Sequence, residues 1–86
     1  MAVVNLRSPL RQLAEGRSEV EVPGATLGDV LAGLIRLHPG LTGWVLDEQG
    51  EIREHVNVFV NGERSGLSVP VGDRDRIQII QNISGG

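Results

Sequence analysis

Few residues of this 86-residue chain have the type and spacing that chemistry requires, and the clearest group lies at the carboxyl end. The sequence closes with Asn82-Ile83-Ser84-Gly85-Gly86. Glycines have no side chains and the widest backbone freedom, so they can pass a constriction that a Cβ atom would block. Five extended residues reach about 17 Å, far enough to enter a partner's active-site channel. We therefore expect the carboxylate of Gly86, delivered with Gly85, to be the working group, and we favour this over a frayed end without a role.

The other candidates for catalysis or metal binding are weaker. His38 precedes Pro39 at a predicted helix end, where a capping or surface role is favoured, and His55 has no partner residues in any catalytic pattern. Asp73 and Asp75 lie in a glycine-containing turn, which favours a solvated turn over a metal site. The chain has no cysteine, which excludes a thiolate metal site and a cysteine nucleophile. We therefore predict no enzyme activity, no metal and no bound cofactor in the chain itself.

Composition narrows the choice of partner and compartment. The net charge of −3 disfavours binding to nucleic acid or to an anionic membrane, since both need a basic surface. No segment has the length of a membrane span, and the first residues lack the pattern of a secretory signal. We therefore expect a cytoplasmic protein. All eight basic side chains are arginine. A compositional bias explains that count. Because the chain has no lysine, an activated carboxyl group could not acylate the chain's own side chains.

One helix and several strands must position the tail. Apolar residues alternate or cluster in 2–7 and 19–22, which predicts a β-hairpin, and the region between them, with Gly16, is a connection of uncertain shape. Thr26 is a good helix N-cap with Asp29 three residues on, and His38-Pro39-Gly40 ends the helix, with Gly40 suited to a left-handed cap. The apolar stripe of this helix comprises Leu27, Val30, Leu31, Leu34 and Ile35.

The second half of the chain adds further strands. Residues 41–55 are irregular, and their apolar members are expected to cover one end of the core: Leu41, Trp44, Val45 and Leu46. Alternation predicts a strand over 56–60, and the following Asn61-Gly62 predicts a tight turn. A short edge segment over 67–71 contains Pro70, and 76–81 is the last strand, with Ile77 and Ile79 inward.

This order of elements predicts an α+β domain over 1–81, followed by a flexible tail over 82–86. One helix on one face of a mixed sheet of four to five strands is the β-grasp, or ubiquitin-like, arrangement. That fold would place the first and last strands side by side in the centre of the sheet.

A partner surface is expected on the sheet face opposite the helix. If Val56, Val58 and Val60 point at the helix, Phe59 points away from it, and Ile80 does so on the last strand. The polar residues expected to flank them are Arg64, Arg76 and Gln78. The alternative is that the 41–52 segment covers this face. We predict partner contacts at Phe59, Ile80, Arg76, Ile83 and Ser84.

Three stretches together resemble one known family. The strand VNVFVNG over 56–62, the run GDRDRIQII over 72–80 and the terminal Gly85-Gly86 are similar to the MoaD/ThiS family of ubiquitin-like sulfur carriers. The resemblance extends through the helix opening TLGDVLAGL over 26–34, and the HVNVFVNG stretch and the irregular insert look most like the CysO-type carriers of cysteine biosynthesis. A departure is the tail Asn82-Ile83-Ser84, where many members have proline and small apolar residues.

The resemblance implies a two-stage cycle on Gly86. An adenylating enzyme of the ubiquitin-activating type uses ATP to form an acyl-adenylate, and a sulfur donor converts it to a thiocarboxylate. In CysO-type pathways a pyridoxal-phosphate-dependent cysteine synthase accepts the sulfur, and a JAMM-type metalloprotease releases the product. The carrier is a co-substrate, not an enzyme.

Several alternatives stay open from the sequence alone. The chain could be the small subunit of a molybdopterin synthase or a carrier for another sulfur-containing metabolite. It could be a protein modifier that forms isopeptide bonds to lysines of other proteins. It could also be a ubiquitin-like interaction module whose tail has no chemical role.

Overall fold

The computed structural model describes residues 1–81, and within them five strands form one mixed sheet in the order β2-β1-β5-β3-β4. The strands are β1 (Ala2–Leu6), β2 (Glu19–Val22), β3 (Val56–Val60), β4 (Glu63–Arg64) and β5 (Arg76–Gln81). The helices are α1 (Leu10–Leu13) and α2 (Leu27–Leu37), and a short 3₁₀ turn follows at Pro39–Leu41. The predicted α+β β-grasp arrangement, with one main helix, is confirmed.

A central parallel pair organises the sheet. β1 and β5 run parallel, with Val4 opposite Ile77 and Leu6 opposite Ile79. β2 and β3 flank this pair in antiparallel register, so the predicted hairpin of the first two strands is confirmed. Alternate residues of every long strand are buried beneath α2, while their neighbours face away from it. The sheet therefore has one core face and one open face.

The main helix begins as the sequence predicts. The Thr26 side chain accepts a hydrogen bond of 3.2 Å from the Asp29 amide, which satisfies one of the unpaired N–H groups of the first turn. The buried residues of α2 are Leu27, Val30, Leu31 and Leu34. Ile35 is half-buried against the core, whereas Leu37 at the last turn is 55% exposed.

The end of α2 differs from the prediction in two ways. Gly40 does not adopt a left-handed conformation, and the chain instead continues into the 3₁₀ turn. Glycine is needed there because a Cβ atom on Gly40 would lie 2.7 Å from the carbonyl oxygen of Leu13. His38 caps the helix through its backbone N–H to Leu34, but a surface position is wrong, because the residue is only 8% exposed.

The predicted edge segment over 67–71 is also wrong. The edge strand beside β3 is β4, which follows a tight turn in which Asn61 and Gly62 have φ angles of 51° and 88°. Residues 67–71 instead run past the start of α2, where the carbonyl groups of Leu67 and Val69 accept hydrogen bonds of 2.9 Å from the first-turn amides. Helix N-termini carry amides without intrahelical partners, and this loop supplies the acceptors.

The irregular segments contribute unequally to the core. Leu10 and Ala14 are buried, so the first connection is a core element that the sequence left undefined. Leu41 and Val45 are buried as expected, whereas Trp44 is 38% exposed and does not cover the core. Among the helices of residues 1–81, none is long and apolar enough to cross a membrane.

Candidate functional site: the open sheet face and the start of the tail

The tail that should carry the chemistry begins at the end of the central strand β5. Gln81, the last residue described, pairs with Val56 at the start of β3. The predicted working groups Gly85 and Gly86, and the predicted contacts Ile83 and Ser84, lie outside the described residues.

The open face of the sheet places the predicted contacts of the folded domain together. Phe59 lies opposite Gln78 on β5 and opposite Arg64 on β4, so these three side chains form one row across three strands. Ile80 lies in the next row, opposite Asn57. Phe59 and Ile80 are both half-buried, in contrast to the buried Val58 and Ile79 beside them. Period-2 alternation assigned these residues to the correct face.

Charges flank this pair of apolar side chains. Arg76 Nη1 lies 3.7 Å from Glu19 Oε2, and both side chains are more than half exposed, so solvent screens the pair and it adds little stability. Within residues 1–81, Arg64 has no carboxylate within 4.0 Å. The face therefore presents an apolar pair beside one guanidinium group that is available to an acidic partner.

The 41–52 segment packs on the other side of the sheet. Leu41 and Val45 belong to the core cluster beneath α2. Leu46 and Ile52 pair with each other as an isolated bridge and also pack against that cluster. Apart from the exposed Trp44, the apolar residues of this segment are thus directed to the core side, which leaves the open face to Phe59 and Ile80.

The turn before β5 is ordered by its carboxylates. Asp75 Oδ2 accepts a hydrogen bond of 2.8 Å from the Gly72 amide, and Oδ1 accepts one of 3.1 Å from Asn61 Nδ2. The amide of Gly72 first, and then Asn61, lower the pKa of Asp75 below its ordinary value of 3.8. Asp73 accepts a hydrogen bond from the N-terminal ammonium of Met1, which lowers its pKa as well.

Metal chemistry has no support in the described part of the chain. In residues 1–81 no group of three or more histidine, aspartate or glutamate side chains is arranged to hold an ion. Asp73 and Asp75 serve the turn, as the solvated-turn interpretation expected. His38 Nδ1 is buried without a hydrogen-bond partner in this part of the chain and lies 3.9 Å from Glu15 Oε1.

Comparison with known proteins decides the family. The sequence profile of the ThiS family matches residues 4–86. The chain belongs to the ThiS family. Its members are small ubiquitin-like carrier and modifier proteins, and the MoaD/ThiS resemblance seen in the sequence is thereby confirmed.

Proteins similar to this ThiS-family chain include an archaeal modifier and two CysO proteins. Small archaeal modifier protein 1 of Haloferax volcanii is 36% identical over 83 residues, which cover 94% of this chain and 95% of the relative. CysO in the Amycolatopsis orientalis BexX/CysO complex has a TM-score of 0.90 at 28% identity, with both chains covered completely. Mycobacterium tuberculosis CysO has a TM-score of 0.87 at 27% identity, covering 96% of this chain and all of that one.

One feature of the site had no signal in the sequence. The outer edge of β2 borders a groove that ends at Leu37 of α2 and the capping residue His38. The β-grasp expectation of a central pair of first and last strands, confirmed by the parallel pairing of β1 with β5, already places β2 at the edge of the sheet. The groove was missed because it forms between β2 and the end of α2, which only the folded chain brings together.

Proposed function

We propose that this protein is a sulfur carrier whose Gly86 carboxylate is adenylated and then converted to a thiocarboxylate. The observation that carries the proposal is the ThiS-family match over residues 4–86, which includes the Gly85-Gly86 end. The fold adds support, because the sequence that follows the central strand β5 is the one that closes with Gly85-Gly86.

The proposed chemistry proceeds in two steps. A carboxylate oxygen of Gly86 attacks the α-phosphorus of ATP, pyrophosphate leaves, and an acyl-adenylate forms. Hydrosulfide then attacks the acyl carbon, AMP leaves with its electron pair, and a thiocarboxylate remains once the proton on sulfur is lost. Splitting a difficult substitution into two easier steps is the general advantage of an activated intermediate. ATP and the sulfur donor are used by the partner enzyme, and the carrier holds neither.

The open face is the surface we assign to the adenylating enzyme. A half-buried aromatic side chain beside an aliphatic one is typical of an interface centre, and Phe59 with Ile80 forms such a pair. Arg64 and Arg76 border it, so an acidic rim on the enzyme is the complement we expect. Ile83 and Ser84 would then contact the enzyme's active-site channel, between the docked domain and Gly86.

The test is ATP–pyrophosphate exchange with the adenylating enzyme from the same organism. The wild-type chain should support exchange, and removal of Gly86 should reduce it to background while the melting temperature stays unchanged, because glycine has no side chain to contribute to a core. Gly66→Ala is the matched control, since a Cβ there meets no atom within 4 Å, and it should exchange normally. Full exchange by the chain without Gly86 would refute the proposal.

For the sulfur acceptor we propose cysteine biosynthesis, supported by the likeness to two CysO structures. The partners would be a pyridoxal-phosphate-dependent cysteine synthase and a JAMM-type metalloprotease, and the ATP requirement makes the cytoplasm the expected compartment. Incubating thiocarboxylated carrier with the host's cysteine synthase and a serine activated at its β-carbon should give a cysteine adduct at Gly86, because the thiocarboxylate sulfur takes the place of the departing β-group. Transfer instead to a molybdopterin precursor would support the molybdopterin-synthase role.

A second candidate is protein modification, and the similarity to small archaeal modifier protein 1 favours it. Trypsin would cut after Arg76 and leave residues 77–86 on a modified lysine of another protein. Because the chain contains no lysine, such remnants could not come from its own side chains. Their detection in a cell digest would support the modifier role, and their absence from a host in which the thiocarboxylate is abundant would refute it.

A further inference from the structure

The outer edge of β2 carries backbone groups that point away from the sheet. Leu6 donates a backbone hydrogen bond of 2.8 Å to Ser18, and the pairing continues with Val4 opposite Val20. In an antiparallel pair, hydrogen-bonded and non-hydrogen-bonded residues alternate. The N–H and C=O groups of Glu19 and Glu21 therefore face outward. No other strand of residues 1–81 pairs with this edge.

A groove wraps around this edge, and its lining includes Val3, Glu19 and Glu21 from the open-face side. It has a volume of about 600 Å³ and runs from β2 to the last turn of α2. Its lining includes Glu15, Arg17, Val20, Leu37 and His38. Leu37 is the most exposed large apolar side chain of α2, at 55%, so it offers an apolar contact beside the unpaired edge.

The charged side chains beside the β2 edge determine which kind of strand can pair with it. Glu19 and Glu21 are exposed and project from the open-face side of β2, and Glu15 is exposed at the other side of the groove. The opposing positive charges are Arg76, 3.7 Å from Glu19, and Arg17 in the groove lining. If two copies paired through β2 in antiparallel register about Val20, Glu19 of each would lie opposite Glu21 of the other. Like charges directly opposite destabilise a strand pair, so the edge disfavours its own copy.

We propose that the β2 edge binds an extended basic segment of a partner protein by strand addition. Residues of the added strand that lie opposite Glu19 and Glu21 project to the same side as these glutamates, where arginine or lysine is favoured. The residue between them lies opposite Val20 and projects into the groove towards Leu37, where an apolar side chain fits. The recognised pattern is therefore basic-apolar-basic, held by main-chain hydrogen bonds to both glutamates.

This edge lies away from Phe59, the centre of the surface assigned to the adenylating enzyme, and Arg76, 3.7 Å from Glu19, borders both surfaces. β1 and β5 lie between β2 and β3, the strand that carries Phe59. A partner segment on β2 would therefore leave Phe59 accessible. The proposal does not depend on the chemistry at Gly86, and loss of either proposal leaves the other intact.

The experiment is a titration of the full chain, labelled with ¹⁵N, against an end-blocked peptide containing Arg-Val-Arg-Val-Arg. Amide shifts should concentrate on 18–22 and on Leu37, with no response around Phe59. Two matched peptides serve as controls: one carries glutamate in place of each arginine, and one carries N-methyl groups on the amides that would face β2. We expect roughly tenfold weaker binding for the acidic peptide, since two exposed charge pairs are exchanged for like-charge contacts.

Variants of the chain distinguish the contribution of main-chain hydrogen bonds to peptide binding from the contribution of charge. Glu21→Pro removes an outward N–H and leaves the β1 ladder intact, so it should keep the fold and lose the peptide. Glu19→Arg combined with Glu21→Arg should reverse the preference between basic and acidic peptides. If Glu21→Pro fails to fold, the N-methylated peptide tests the same hydrogen bonds. Equal binding of all peptides, shifts centred on Phe59, or dimerisation through β2 would each overturn the proposal.

Discussion

Phe59 and Val58 are neighbours on β3 whose side chains point to opposite faces, and this allows folding to be separated from partner binding. Phe59 is half-buried on the open face, whereas Val58 is only 1% exposed in the core. We predict that Phe59→Thr, which keeps a strand-forming residue, changes the free energy of unfolding by less than about 1 kcal/mol. Truncating an aromatic interface centre typically costs at least about 2 kcal/mol of binding, which corresponds to roughly thirtyfold in Kd for the adenylating enzyme.

The control variant should show the opposite pattern. Val58→Ala removes two buried methyl groups and should cost about 1–3 kcal/mol of stability, judging from the loss per methyl group in core truncations. For a domain of this size each kcal/mol lowers Tm by about 4–8 °C. The Kd of Val58→Ala for the adenylating enzyme, measured by calorimetry well below Tm, should equal that of the wild type. If Phe59→Thr binds the enzyme as tightly as the wild type, the open face is not the docking surface.

Three further predictions concern the fold that supports the site. Thr26→Ala removes the N-cap acceptor of α2 and should cost about 1 kcal/mol in thermal unfolding, whereas Thr26→Ser should not; equal Tm values for all three proteins would contradict the capping role. Gly40→Ala places a Cβ atom 2.7 Å from the Leu13 carbonyl and should cost about 1–3 kcal/mol, while Gly66→Ala, with no neighbour within 4 Å, should be neutral. The hydrogen bonds to Asp75 depress its folded-state pKa below 3.8, so their stabilisation is complete above that pH and is lost as the pH falls through the depressed value. Asp75→Asn should therefore be less stable than the wild type in urea at pH 7, and the gap should narrow towards pH 2; a constant gap would argue against the linkage.

Local patterns were sufficient for much of the fold. Helical spacing with a threonine cap predicted α2, and two-residue alternation predicted β3 and the inward residues of β5. Alternation also assigned Phe59 and Ile80 to the open face, because a strand directs successive side chains to opposite sides. These features depend on neighbours a few residues apart, so a single sequence contains them.

The errors arose where distant segments meet. Residues 67–71 were expected at the sheet edge, but the first-turn amides of α2 required acceptors and took the carbonyls of Leu67 and Val69. Gly40 was assigned a left-handed cap, whereas it is required by close approach to Leu13 from a different connection. Trp44 was expected to cover the core, but Leu41 and Val45 fill that place. No pattern of neighbouring residues in the sequence indicates any of these contacts.

The candidate site likewise combines features that follow from neighbouring residues with features that depend on distant segments. The open-face pair was predictable from alternation, and the β-grasp expectation placed the first and last strands in the centre of the sheet and hence β2 at its edge. No local pattern indicates that parallel pairing, because β1 and β5 are separated by most of the chain. The tail residues Gly85 and Gly86 were identified by their type and place in the sequence, and their role remains a prediction.

The most direct test of the sulfur-carrier account is the intact mass of the protein purified without reductive or alkylating treatment from its native host. The account predicts a species heavier than the encoded chain by the replacement of one oxygen with one sulfur, with fragment ions placing the change at Gly86. The species should disappear when the gene for the adenylating enzyme is deleted. A protein that carries only the unmodified carboxylate, in cells where that enzyme is present and active, would contradict the account.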